Sequence, residues 1–369
     1  MIRCSNCCLP ETRPDLAFVD GVCAACLNYA KRKTIDWSSR RRELVKLLES
    51  ATPNGSGYDC IVPSSGGKDS TYQVMTLLDL GAKPLVVTAT TCHLTRIGRA
   101  NIDNLARYAT TVELSPNKAV RAKLNRLGLQ MVGDISWPEH VSIFTMPFHA
   151  ACDFGIPLIF YGENPQTEYG GPLGTEDAMQ MTRRWVSEFG GFLGLRPQDL
   201  IGVEGLTKRD IQDYMPPSVD RVANAGIQAH FLGQYIPWDS HHNAEVAQAA
   251  GMRWMLPTNA NWWPTENQDN AQTGAHDFGM YLKYGYGRGC SQISVDVRAG
   301  RITRDAALEW VRVCDGIFPS TYMQIHIQEV LRNIGVTSDE FKTILDKFTN
   351  HDLFNGVENS RPILKEFAS

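Results

Sequence analysis

Ser65-Gly66-Gly67-Lys68-Asp69-Ser70 is the stretch on which the reading of this 369-residue chain turns. It follows the apolar run Tyr58-Asp59-Cys60-Ile61-Val62, which reads as a buried strand. It precedes Thr71-Tyr72-Gln73-Val74-Met75-Thr76-Leu77-Leu78, whose apolar spacing predicts a helix ending near Gly81. A strand, a glycine-rich loop and a helix N-terminus make an anion site, because glycines admit close backbone approach and the unpaired N–H groups of the first turn attract negative charge. Ser65 and Ser70 add hydroxyls, Lys68 adds a cation, and Asp69 can hold Mg²⁺ carried by a nucleotide. The competing reading is a strand-to-helix turn that binds nothing.

The loop is not a Walker A motif, which requires a glycine where Val62 stands and Ser or Thr where Asp69 stands. It resembles instead the pyrophosphate loop of the PP-loop ATPases. That resemblance implies cleavage of ATP between its α and β phosphates, transfer of AMP to a substrate oxygen and release of pyrophosphate.

Working outward, residues 58 to about 235 alternate strand and helix, the pattern of a mainly parallel, doubly wound α/β sheet. Strands are expected at 84–90, 111–114, 157–161 and 231–235, and helices at 97–109 and 139–154. Ligands in such sheets lie beyond the carboxyl ends of the strands. This puts Thr88 to His93 and Gly162 to Gly174 on the same rim as Ser65 to Ser70, with Thr88, Thr90 and Gly162 as candidate ATP contacts. Glu163, Asn164, Gln166 and Glu168 crowd into one loop after a strand, more polar groups than a surface turn needs. Glu163 is a candidate catalytic residue with Lys68 and Asp69, Asn164 and Gln166 are candidate substrate contacts, and Glu163 or Glu168 could hold a metal or steer ammonia.

Upstream, five of the ten cysteines fall within the first 26 residues. Cys4-x-x-Cys7 and Cys23-x-x-Cys26, separated by 15 residues, have the spacing of a tetrahedral zinc site in a turn-rich ribbon. Four thiolates leave no open position, so the site reads as structural, with Cys8 a spare and unligated thiols the bland alternative. The basic residues between Lys31 and Lys46 alternate with Asp36 and Glu43 and read as a solvated helix face rather than a nucleic-acid surface. Pro53-Asn54-Gly55-Ser56-Gly57 reads as a linker. The implied segments are a ribbon at 1–30, a helix and linker at 31–57, a nucleotide domain at 58–260 and a substrate-contacting, helical region at 261–369.

Downstream, Trp254 to Arg288 is rich in aromatics that suit a sugar or base, or equally a packing interface. His276, Lys283, Tyr286 and Arg288 supply polar groups beside them, and Lys283 or Arg288 could pair with a phosphate or carboxylate. The alternative is a helix end capped by Gly287 and Gly289. Beyond Cys290 only helices are expected, one of them capped by Thr303. The His241-His242 pair reads as a helix start and not as a metal site.

Composition is that of an ordinary globular chain, with 43% hydrophobic and 21% charged residues. The net charge of −4 offers no general attraction to nucleic acid or anionic membrane, no apolar run reaches membrane-spanning length, and Met1-Ile2-Arg3-Cys4 starts no signal peptide. The expectation is a cytoplasmic protein with reduced thiols or metal rather than disulfides.

Taken together, the cysteine pairs, Ser65 to Ser70, Gly162-Glu163-Asn164-Pro165-Gln166, His276-Asp277, Gly285-Tyr286-Gly287-Arg288 and Ile302-Thr303-Arg304-Asp305-Ala306-Ala307 resemble the N-acetyl sugar amidotransferases of bacterial surface-polysaccharide synthesis. The resemblance implies conversion of an acetamido group on a nucleotide-activated sugar to an acetamidino group, for lipopolysaccharide O-antigen or a related glycan, with ATP, Mg²⁺ and structural zinc. It also implies ammonia from a separate glutaminase subunit like that of imidazole glycerol phosphate synthase, with a possible cyclase-like subunit, since no Gly-x-Cys-x-Gly elbow occurs here. Two rivals remain at this point: a PP-loop tRNA thiolase using Cys92 and Cys152, and a non-catalytic ATP-binding zinc scaffold.

Overall fold

The computed structural model describes residues 1–51, 57–358 and 360–368. Its centre is a parallel sheet of β1 (Cys60–Pro63), β2 (Pro84–Ala89), β3 (Thr110–Leu114), β4 (Leu158–Tyr161) and β5 (Gln228–Phe231), in the spatial order β3-β2-β1-β4-β5. Chain order therefore runs outward in opposite directions from β1, and the crevice between β1 and β4 is the topological switch point. Both faces of the sheet are covered. Cys60, Val62 and Val86 face Leu44, Val74, Leu77 and Leu105, whereas Ile61, Leu85 and Ile159 face Ala150, Ala151 and Trp185. This period-two division of an unbroken apolar run is what a doubly wound sheet requires.

The helices that provide this cover begin with α1 (Ala24–Arg32) and α2 (Trp37–Ser50), ahead of the sheet. α3 (Lys68–Asp79) and α4 (Arg96–Leu105) make the next crossovers, and α5 (Lys118–Val132) with α6 (Trp137–Phe154) connects β3 to β4. The connection from β4 to β5 holds the short α7 (Pro165–Glu168), α8 (Arg183–Phe189) and α9 (Val219–Asn224). α10 (Ser240–Ala249) then packs on α3. In the C-terminal part, α11 (Thr273–Tyr284), α12 (Arg288–Arg298), α13 (Arg304–Cys314), α14 (Ile327–Asn333) and α15 (Ser338–Phe348) follow. Leu129 of α5 joins Phe278, Leu282, Leu331, Phe341 and Leu345 in one apolar cluster that fastens this part to the sheet domain. Each such fully buried side chain contributes roughly 1.5–3 kcal/mol.

Several elements differ from the sequence reading. α5 has no counterpart in it; Asn117 starts this helix by accepting from the backbone N–H groups of Ala119 and Val120. The basic helical stretch is two helices, because Asp36 caps a new one by accepting from Ser39. The fifth strand lies three residues earlier than 231–235: it ends level with β4 at Tyr161↔Phe231 and turns into a 3₁₀ segment at Leu232–Gln234. The region beyond Cys290 is not helical throughout. Hairpins pair Thr321–Tyr322 with Ile325–His326 and Phe354–Glu358 with Arg361–Leu364. The first turns through Met323 and Gln324 at φ +49° and +64°, positions where glycine or asparagine would have signalled a hairpin. The linker at 53–57 lies, apart from Gly57, outside the described residues. Among the described residues, no helix is long and apolar enough to cross a membrane.

Candidate active site at the sheet switch point

The loops leaving β1 and β4 open into a cleft of about 440 Å³, closed on its far side by Thr265 to Asn270, His276 and Arg288. On the near side Gly66 turns at φ +78°, and a Cβ there would stand 2.8 Å from the Ile102 nitrogen. Only glycine fits both demands. Gly67 is the residue capping α3, so the loop delivers the first-turn N–H groups of that helix into the cleft. Ser64 braces the turn, accepting from the Gly66 N–H at 3.0 Å and donating to Ser70 Oγ at 2.9 Å.

Lys68 is 2% exposed, and its ammonium lies 2.5 Å from Asp69 and 3.1 Å from Glu266. Burial alone would lower its pKa, but Asp69 and Glu266 outweigh that and hold it charged. Asp69 also accepts from Asn243 Nδ2 at 2.9 Å, which orients the carboxylate. Glu266 is fixed from the other side by Gln292, and the positive charges of Lys68 and Arg288 keep its pKa below the usual range despite burial. Arg288 in turn makes a forked pair with Asp277. Two buried polar atoms that line this space have no partner, Gln73 Oε1 and Asn267 Nδ2. A dry apolar cavity would not present such groups, whereas a polar nucleotide would satisfy them.

Glu163 borders this cleft and also a second, smaller pocket formed by α1, α7, Trp238 and α12, which Glu168 lines as well. Burial, followed by the charges of Glu168 and Asp69, pushes Glu163 well above the usual carboxylate range. Burial pushes Glu168 up to about 7. A carboxyl at that value exchanges protons near neutrality.

Of the residues singled out in the sequence, Ser65, Gly67, Lys68, Asp69, Ser70, Gly162, Glu163, His276 and Arg288 line the one cleft, and Gly66 shapes it from behind. The others lie elsewhere. Thr88 and Thr90 alternate away from the cleft while Val87, Ala89 and Thr91 face it; Thr90 bonds Ser115 instead, at 2.5 Å. Asn164 caps α7 and bonds the Thr175 carbonyl, and Gln166 is buried, its carbonyl accepting from Asn28. Lys283 donates to the Val132 carbonyl at 2.7 Å, and Tyr286 accepts from Arg13 at 3.0 Å. The aromatic stretch is mostly packing, with the indole N–H groups of Trp262 and Trp263 both donating to Asp296.

Cys4, Cys7, Cys23 and Cys26 are buried together, with Sγ–Sγ distances of 3.7 Å for Cys4–Cys26 and Cys7–Cys23. Those separations suit a tetrahedral metal with thiolate ligands. Cys8 points away and packs with Tyr286 and Cys290. The knuckle is wedged between the two parts of the chain. Arg304 donates to the carbonyls of Cys4 and Cys7, Thr12 donates to the Tyr284 carbonyl, and Gly170 lies so near Leu16 and Ala25 that no side chain fits. No cysteine lines the cleft among the described residues, and burial raises the thiols of Cys92, to about 11, and Cys152.

Glu266, Glu139 and His140 reach the cleft without having been marked in the sequence. The run Thr265-Glu266-Asn267-Gln268-Asp269-Asn270 offered the same signal as residues 163–168, polar groups packed between aromatics. His140 and Glu139 lie within a helix and offered none.

No curated protein matches the chain. Solved structures with some likeness include NMN synthetase from Francisella tularensis (15% identity, 57% of this chain and 96% of that one, TM-score 0.27). Another is NAD+ synthetase from Burkholderia pseudomallei (14% identity, 62% and 91%, TM-score 0.27). The topology rests on the strand order above and not on these. Residues 259–365, which contribute Glu266, His276 and Arg288 to the cleft, match the family described as LPS biosynthesis protein WbpG-like, C-terminal domain. The likeness to that family is confined to this segment, which is under a third of the chain.

Proposed function

We propose that this chain is an ATP-dependent, AMP- and pyrophosphate-forming amidotransferase acting on a nucleotide-activated N-acetylated sugar. The observation that carries the reading is the meeting of Lys68, from the phosphate loop, with Glu266, from the WbpG-like segment, at 3.1 Å across one cleft. The glycine-rich loop and the WbpG-like segment thus line one cleft.

An amide oxygen is a poor leaving group and must be activated before nitrogen can replace it. The acetamido oxygen attacks the α-phosphorus of ATP, the new O–P bond forms as the α–β bond breaks, and pyrophosphate departs. Backbone N–H groups of the loop and the Lys68 ammonium offset its charge, with Asp69 placed to hold the accompanying Mg²⁺. Ammonia then attacks the imidate carbon, the C–O bond breaks, and AMP leaves. Glu163, which lines both pockets, would in its ionised form take a proton from the incoming nitrogen. The smaller pocket would admit ammonia, and a separate glutaminase partner would supply it. The cytoplasm, where nucleotide sugars are made, fits this reading.

The test is incubation of the purified chain with Mg-ATP, ammonium and a panel of nucleotide-linked N-acetylated sugars, measuring AMP and pyrophosphate. Sugar-dependent AMP release, with a product in which O is replaced by NH, is expected. AMP formed only with tRNA and a sulfur donor would overturn it in favour of a thiolase. Turnover with glutamine by the isolated chain would remove the need for a partner.

A further inference from the structure

We propose that Asp134, His140 and His276 form a second metal site, of imidazole–carboxylate type, on the rim of the cleft. The ligand atoms of these three residues lie within 4.8 Å of one another. Asp134 is 4% exposed, with Oδ1 2.8 Å from His276 Nδ1 and Oδ2 3.4 Å from His140 Nδ1. The two imidazole rings stand at 80° with centroids 5.0 Å apart. His140 Nδ1 is buried and makes no hydrogen bond beyond that 3.4 Å ion-pair contact, so a cation shared with Asp134 would satisfy it. An acid–base pair of Asp134 with His276 alone would leave it so.

The three residues come from separate elements, and each is braced. Asp134 follows α5 and accepts from the Ser136 N–H at 2.8 Å. His140 lies in the first turn of α6 beside Glu139, which accepts from Arg121, Asn125 and Gln272. Gln272 is itself the residue capping α11, one turn before His276. These contacts fix the helix turns that carry the two imidazoles. The nearest cations are otherwise engaged, Arg288 by Asp277 and Lys283 by the Val132 carbonyl. The 2.8 and 3.4 Å separations are close to the ligand–ligand edges of a site with bonds of about 2.0–2.1 Å. Two imidazoles and a carboxylate suit Zn²⁺, Mn²⁺, Fe²⁺ or Co²⁺ and leave open positions. Because His140 and His276 line the cleft, a substrate oxygen or a water would occupy those positions. The site is independent of which substrate the cleft takes.

The test uses the full chain, freed of loosely held metal by dialysis against a weak chelator and titrated with Zn²⁺ or Co²⁺. Wild type should bind about two equivalents, one at the cysteines and one here, and both His276→Gln and His140→Asn should bind about one. With Co²⁺, these variants should keep the intense thiolate charge-transfer bands and lose only the weak bands of nitrogen and oxygen ligation. The amide introduced by His276→Gln would retain a hydrogen bond to Asp134, so a folded variant is expected, and the retained thiolate bands report it. Wild type that binds only one equivalent of Zn²⁺ and of Co²⁺ overturns the proposal. So does a second equivalent that survives both substitutions. Variants slowed in turnover while wild type ignores added metal would identify an Asp134–His276 acid–base pair instead.

Discussion

The two walls of the cleft are built on opposite plans. The near wall is local: β1, the Ser65 to Ser70 loop and α3 are consecutive, so one short stretch carries both its geometry and its chemistry. The far wall, Thr265 to Asn270 with His276 and Arg288, is brought against it from about 200 residues further along the chain. Glu266 reaches Lys68, and Arg288 is fixed by Asp277 within a segment that has little regular structure before α11. A local wall stays recognisable wherever the motif occurs. A wall made at long range can vary residue by residue, and that is where specificity belongs.

The strongest challenge to this contrast is to separate the walls. Cys4→Ser, or prolonged chelation, removes the wedge between them; loss of most turnover and of a single cooperative unfolding transition is expected, read by calorimetry and AMP release. Retention of full activity would show that the walls hold together without it. Next comes Lys68→Met, expected to lower kcat by about 10³-fold through lost stabilisation of the departing pyrophosphate. Glu266→Gln, which leaves that ammonium charged, should lower kcat/KM by about tenfold, mainly through a raised sugar KM; an equal fall in kcat would erase the distinction between walls. Gly66→Ala should raise the KM for ATP about tenfold and cost about 1–3 kcal/mol in urea unfolding, because of the positive φ and the contact with Ile102.

A smaller effect has a definite sign. The carboxyl of Glu168 is pushed up to about 7, so between its unfolded value of 4.5 and about 7 the folded state holds more protons than the unfolded one. Stability contributed by this group therefore falls as pH rises through that window. Glu168→Gln should match wild type at pH 4.5 and exceed it at pH 8 by about 1–2 kcal/mol, after allowance for solvent screening. The smallest expected effect distinguishes two threonines near one strand end, Thr88 within it and Thr91 just beyond it. Thr91→Val should weaken ATP binding a few-fold, whereas Thr88→Val, at a buried hydroxyl with no partner, should leave binding unchanged and stability within about 0.5 kcal/mol. Reversal of those two outcomes would move the nucleotide to the other face of the sheet.

These contrasts also account for what could be read from the sequence. The sheet was legible because its strands are continuous apolar runs such as Cys60-Ile61-Val62 and Leu158-Ile159-Phe160, and the phosphate loop because its parts are contiguous. The knuckle was legible through spacing alone. Thr88 and Thr90 turn away from the cleft, which the sequence could not show because the phase of a strand's alternation is hard to carry to its end. Asn164 and Gln166 looked like ligand groups because polar residues near a glycine-rich turn serve capping and binding alike. The His140 side of the cleft was illegible: nothing in Trp137 to Phe154 distinguishes a buried helix from one that lends two residues to a site.

The seat of the cysteine knuckle has a consequence for how the molecule is made. Cys4 and Cys7 are held through their carbonyls by Arg304, a partner synthesised about 300 residues later. At roughly 5–20 residues per second, that is an interval of about 15–60 s during which the thiols have been made but their support has not. The earliest residues in this chain are therefore among the last to find their final neighbours. Metal capture by the cysteines in that interval would hold a preformed plug in readiness, and the arrival of α13 would lock it. If zinc is the metal captured, its supply during translation would set the fraction of chains that complete the cleft.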